Sequence, residues 1–147
     1  MKTLFVQLNE RVLRLVIKLL KLTCSMLHLQ LLVLVSLLVS VFPYRCWRGL
    51  ISGFGRDGKN KPVAKWQRKL IDLIKWNAYS SRFNCLASAL AGGIFLKIFN
   101  ISSQMRVGVS IAGDHRVFHA WLVIGSEIIV GWKRNLRQYR LLTEESR

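Results

Sequence analysis

From Thr23 to Tyr44 the chain runs TCSMLHLQLLVLVSLLVSVFPY, twenty-two residues without a formal charge in a protein whose net charge is +16. About twenty apolar residues can cross a bilayer as one helix, so this stretch limits the N-terminal third to a membrane segment or a buried helix. Ahead of it, LNERVLRLVIKLLKL puts Leu8, Val12, Leu15, Val16, Leu19 and Leu20 on one helical stripe. Arg11, Arg14, Lys18 and Lys21 fall largely elsewhere, the pattern of a helix lying in a membrane interface. His28, Gln30, Ser36 and Ser40 interrupt the apolar run and suit a different arrangement, a soluble hairpin whose second helix is buried under an amphipathic first. Either way, residues 1–50 are read as a hydrophobic, basic helical region, a candidate for membrane or partner contact. Glu10, Arg11, Arg14, Lys18 and Lys21 break up the first apolar residues, so no cleavable signal peptide is expected.

The positive charge is spread along the chain, with +6 in residues 1–50, +6 in 51–84 and +4 in 85–147. No aromatic RNA-binding strand, zinc finger or basic-region heptad accompanies it, which argues against nucleic acid. The remaining partners are anionic lipid or an acidic protein. Cys24, Cys46 and Cys85 are odd in number and widely spaced, with no CxxC pair and no cluster at metal spacing. A reducing, cytoplasmic setting without structural zinc or other cofactor is expected. With 147 residues, 52% of them apolar, the chain has material for one functional domain.

That domain is expected over 62–147, after a linker at 51–61 where SGFGRDGKNK replaces the apolar run with glycines and charges. Pro62 opens PVAKWQRKLIDLIKW, with Val63, Trp66, Leu70, Leu73 and Ile74 at helical spacing. After the polar break YSSRFN, the run CLASALAGGIFLKIF has helix-forming composition, with Asn84 as N-cap and Asn100 as terminator. Cys85 then occupies the first turn, at the positive end of the helix dipole and beside free backbone N–H groups, where reactive thiols sit. Gly92 and Gly93 would each cost about 1 kcal/mol relative to alanine. Together with Ala87, Ser88, Ala89 and Ala91 they predict a very close neighbour.

Beyond residue 104 the period changes from helical to alternating. MRVGVSI (105–111), VFHAWLVI and EIIVGW read as three strands, joined by an AGDHR turn and a two-residue Gly125-Ser126 hairpin turn. His119 lies on the second strand, in register with Val117, Trp121 and Val123. The chain is therefore α+β: a helix with a cysteine at its start packed on an antiparallel sheet that carries a histidine, preceded by the hydrophobic helical region. A papain-like thiol enzyme needs that pairing, because the imidazole takes the thiol proton and later protonates the leaving amine. The backbone N–H of Cys85 is a natural oxyanion donor, and Asn84, Asn77 and Trp76 are candidates for a second.

FNCLASAL, RVGVSI and FHAWLVI together resemble the transglutaminase-like cysteine proteases of lasso-peptide biosynthesis, the family of microcin-processing leader peptidases, over roughly residues 75–142. The resemblance implies a papain/transglutaminase-like core with Cys85 as nucleophile and His119 as base. It implies removal of the leader from a lasso-peptide precursor before an asparagine-synthetase-like, ATP-using cyclase closes the ring, with a threonine as second-last leader residue. Nothing in residues 1–50 looks like the family's leader-binding domain. The chain is therefore similar to the stand-alone peptidase form, which works with a separate leader-binding protein.

One departure concerns the acid that orients the histidine. The family carries an aspartate on the next strand, at the position occupied here by Gly131. Hairpin arithmetic agrees that no carboxylate is opposite: a two-residue turn sets His119 across from Trp132, a three-residue turn across from Gly131. Asp114, Asn135 and Glu127 are the remaining side-chain candidates, and a backbone carbonyl or water is sufficient to hold a tautomer. If a backbone group does so, an aspartate restored at position 131 is expected to raise the rate.

Overall fold

The computed structural model describes residues 2–54, 63–80, 83–112 and 115–142. Four helices come first: α1 (Lys2–Val41), α2 (Tyr44–Gly53), α3 (Lys65–Ser80) and α4 (Cys85–Ile98). The strands β1 (Gln104–Ala112), β2 (His115–Ile124), β3 (Glu127–Val130) and β4 (Arg140–Leu141) form one antiparallel sheet in the order β3-β2-β1-β4. A 3-10 turn over Leu136–Gln138 leads into β4. The architecture is α+β, with a long apolar helix, a central helix and a sheet in successive layers.

Helix α4 is the central element because its composition permits close approach on every side. Its residues from Ala87 to Gly93, with Phe95 and Leu96, are buried between α1 and the sheet. A Cβ added at Gly92 would stand 3.2 Å from Leu122 and 3.3 Å from Ile74, and one at Gly93 would stand 3.0 Å from the Phe54 ring. Those distances explain two glycines inside a helix: the propensity they give up is offset by packing that any side chain would disturb. The helix ends where expected, with Asn100 in a left-handed conformation at φ 54°.

The N-terminal region is one continuous helix of 40 residues, not a hairpin. Between Cys24 and Val39 one side of α1 packs on the core, with Leu32 and Val35 fully inside it, while every described residue from Val12 to Thr23 is exposed. Its stretch Val12–Val41 has a mean hydropathy of 2.1 and is long and apolar enough to cross a membrane, by length and composition alone. Helix α2 follows Pro43 and carries Ile51 and Phe54 into the same core. The linker expected from residue 51 is thus already core at Ile51 and Phe54: apolar side chains at helical spacing outweigh the glycines around them. Residues 55–62, the rest of that expected linker, lie outside the described residues.

Beside the α1–α3 contact the core holds one buried polar pair. The Asn77 amide donates to His28 Nδ1 at 3.1 Å and to Ser25 Oγ at 3.4 Å. His28 Nε2 is buried without a hydrogen-bond partner among the described residues, and the ring meets Phe95 edge-on at 5.1 Å. Burial pushes this imidazole from the ordinary 6.5 down to about 4. Between those values the unfolded chain binds a proton that the folded chain does not, so stability falls as pH drops below 6.5 and is unaffected by this group above it. The loss should reach about 3 kcal/mol by pH 4. Urea unfolding midpoints measured across this window should fall less steeply for His28→Met than for the parent. Identical slopes would mean that another group carries the acid sensitivity.

Candidate functional site

The start of α4 is held by Asn84, whose backbone is extended (φ −55°, ψ 140°) and whose side chain accepts the Leu86 N–H at 3.1 Å. The same oxygen takes the Cys85 thiol, whose Sγ donates at 3.5 Å. Cys85 is half-buried and packs against the core. The first N–H groups of a helix have no intrahelical partner, so the Cys85 N–H remains a donor suited to an oxyanion. Of the further donors considered from the sequence, Asn84 caps the helix through its side-chain oxygen, an acceptor, so the cap does not engage its N–H groups. Asn77 belongs to the buried pair with His28, and Trp76 is exposed.

His119 sits on β2, only 4% exposed. Its Nε2–H donates to the backbone carbonyl of Gly131 at 2.7 Å. A carbonyl oxygen only accepts, so Nε2 carries the proton and Nδ1 keeps its lone pair. Burial pushes the imidazole below its ordinary range; the Gly131 carbonyl acts in the opposite direction, and the Lys133 charge adds to the lowering. The neutral base is therefore favoured. Trp121 stacks on the ring at 6.0 Å between centroids and Tyr139 meets it tilted at 5.5 Å.

The Gly131 carbonyl reaches this position through two irregularities. Pairing runs Ile124↔Glu127 and Val123↔Ile128, then skips to Leu122↔Val130, a bulge that leaves Ile129 as the extra residue. Neither hairpin register expected from the turn length survives it, because the expectation assumed an unbroken ladder. At Gly131 φ is +78°, and a Cβ there would lie 2.5 Å from the Ala120 carbonyl oxygen and 3.0 Å from Trp121 Cβ. Glycine is the residue that tolerates both.

The side-chain candidates for orienting His119 are engaged elsewhere or outside view. Glu127 is ion-paired with Arg68 at 2.6 Å and with Lys75, both on α3, and these two cations hold its carboxyl below the usual range. Asn135 is exposed and donates to Gln138 at 3.4 Å. Asp114 lies outside the described residues. Sequence spacing did not expose the role of Glu127, although the cations on the polar side of α3 were a signal that this strand had a partner for it.

Cys85 and His119 lie on elements that pack directly against each other, α4 and β2. Alternation along β2 turns Leu122, and with it Ala120, toward α4, while His119 and Trp121 share the face that carries Tyr139. No hydrogen bond joins Cys85 Sγ to the imidazole among the described residues; the thiol's bond is to Asn84. The structure thus holds a thiol at a helix start and, on the far face of the sheet, an imidazole with its proton on one nitrogen and a lone pair on the other, and it does not bring the two side chains together.

No curated protein and no solved structure matches the chain. A family model does, described as the transglutaminase-like superfamily and matching residues 57–144, a segment that contains α3, α4, all four strands, Cys85 and His119. By that match over more than half its length, and by its helix-on-antiparallel-sheet core, the chain belongs to the transglutaminase-like superfamily.

Proposed function

We propose that the chain is a thiol peptidase that removes the leader from a ribosomally made lasso-peptide precursor before a cyclase closes the macrolactam. Membership of the transglutaminase-like superfamily supports thiol-based cleavage or transfer of an acyl group. The finer assignment rests on the resemblance of FNCLASAL, RVGVSI and FHAWLVI to the leader peptidases. The observation that carries the chemistry is the His119 Nε2–H bond to the Gly131 carbonyl, which leaves Nδ1 as the proton acceptor. In the proposed reaction Nδ1 takes the Cys85 thiol proton as Sγ attacks the scissile carbonyl, and the oxyanion is met by the Cys85 N–H. The imidazolium then protonates the amine of the departing core peptide, leaving the leader as a thioester. Water attacks that thioester with His119 as base, which releases the leader carboxylate and restores the thiol. In the structure the thiol is bonded to Asn84 and the imidazole shares the sheet face that carries Tyr139, away from α4, so the proposed attack requires the two side chains to be brought together when substrate binds.

A second reading is a scaffold that holds precursor and cyclase without cutting. It is favoured by the thiol's bond to Asn84 rather than to the imidazole. The deciding experiment is mass spectrometry of a lasso precursor incubated with this chain and a separate leader-binding protein, before and after treatment with iodoacetamide. Cleavage at the leader–core junction is expected, with a threonine second-last in the leader. It should be lost as Cys85 is alkylated, ahead of Cys24 and Cys46. Uncut precursor with both proteins folded would replace the peptidase by the scaffold.

A further inference from the structure

The side of α1 that faces away from the domain is apolar over 30 residues, and the side that faces the domain is where the charges are. From Cys24 to Val39 the docked residues Cys24, His28, Leu32, Val35 and Val39 define the direction of the core. At about 100° per residue, winding back along the helix brings Arg14, Lys18 and Lys21 to that same side. Leu15, Leu19, Met26, Val33, Leu37 and Val41 fall on the opposite side. Each of these six is between 46% and 74% exposed. The stripe continues unbroken from the part of α1 that touches the domain into the part that does not, and only Thr23 and Gln30 bring polar groups onto it.

We infer that α1 lies in the plane of an anionic phospholipid bilayer, with this stripe in the acyl boundary and the transglutaminase-like domain above it. The inference is independent of the peptidase reading. Three observations favour it over a spanning helix. A spanning α1 would draw α3 and α4, docked on residues 24–39, toward the hydrocarbon together with the sheet they carry. Taking the whole stripe into the membrane would also bury Lys18 and Lys21, which cost several kcal/mol each at bilayer depth. The stripe is about 45 Å long, well beyond the roughly 30 Å of hydrocarbon that a span has to match. In the plane, the same lysines sit at headgroup level on the aqueous side of the helix, where each basic residue gains about 1 kcal/mol against anionic lipid. A second copy of the chain is disfavoured as occupant, because each brings a net charge of +16 toward the other.

Flotation of the full chain with sealed vesicles tests this. The parent should float with mixed phosphatidylcholine and phosphatidylglycerol vesicles, and less with phosphatidylcholine alone. Leu19→Glu with Leu37→Glu should lower the bound fraction by about tenfold or more, since two leucines would no longer leave water. Lys18→Glu with Lys21→Glu, on a segment where every described residue is exposed, keeps the test valid if the first pair impairs folding; it should abolish the preference for anionic vesicles. Orientation is read with an impermeant maleimide added outside: Cys46 and a cysteine introduced as Lys18→Cys should both react. Protection of position 18 would make α1 a span and overturn the inference. So would failure to float with either vesicle, including the case in which the glutamate variants convert a dimer to a monomer.

Discussion

Cys85→Ala should fold as the parent does and lose at least about 10⁴-fold in precursor cleavage. The side chain is half-buried at the first position of α4, where alanine is a good helix former, and among the described residues the one hydrogen bond removed is the weak one to Asn84 at 3.5 Å. The cap itself, Asn84 to the Leu86 N–H, is untouched. Stability should therefore move by less than about 1 kcal/mol, while the reaction loses its nucleophile. Thermal unfolding and single-turnover mass spectrometry on the same sample separate the two effects. Undiminished maturation in a folded Cys85→Ala protein would sink the peptidase and leave the scaffold.

Gly131→Asp should be strongly harmful, although aspartate is the residue the resemblance leads one to expect there. Reading the sequence alone, restoring it looked beneficial; the backbone reverses that expectation. At φ +78° a side chain is strained, by about 1–3 kcal/mol. Its Cβ would also stand 2.5 Å from the Ala120 oxygen, in β2 itself, and backbone at that distance cannot yield as a flexible side chain does. Overpacking of this kind adds about 1–3 kcal/mol. The chain must move at residue 131, and moving it withdraws the carbonyl that holds His119. The expected result is a urea midpoint lowered by about 2–6 kcal/mol equivalents, with cleavage lost even in the fraction that folds. Gly131→Ala should behave similarly, since the conflict lies at Cβ and not at the carboxylate. A stable, faster Gly131→Asp enzyme would show that the carbonyl is not what orients the imidazole.

Local chemistry was readable in the residues, and long-range geometry was not. Asn84 caps α4, Asn100 ends it and Gly92 and Gly93 meet close neighbours because each of these outcomes is set within one turn or by the absence of a side chain. The strand alternation and the two-residue Gly125-Ser126 turn are equally local. The bulge at Leu122/Val123 is different: nothing in EIIVGW marks Ile129 as the extra residue, and one unpaired residue is enough to invalidate any count along the hairpin. Glu127 likewise stood among the candidates for His119, distant along an unbulged strand, and its engagement came only with Arg68 and Lys75 from α3. The continuity of α1 was hidden by His28, which reads as a break in an apolar run but is accommodated by Asn77 from 49 positions away.

The carbonyl that orients His119 leaves from the end of a four-residue strand at the sheet's edge, paired on one side only and through a bulged ladder. Edge segments of this kind open at a free energy well below that of global unfolding. Each opening of β3 withdraws the orienting acceptor while α4 and its cap stay formed. On warming, activity should therefore fade before the helical signal does, and amide exchange at Ile128 and Val130 should report the loss of function earlier than any exchange within α4.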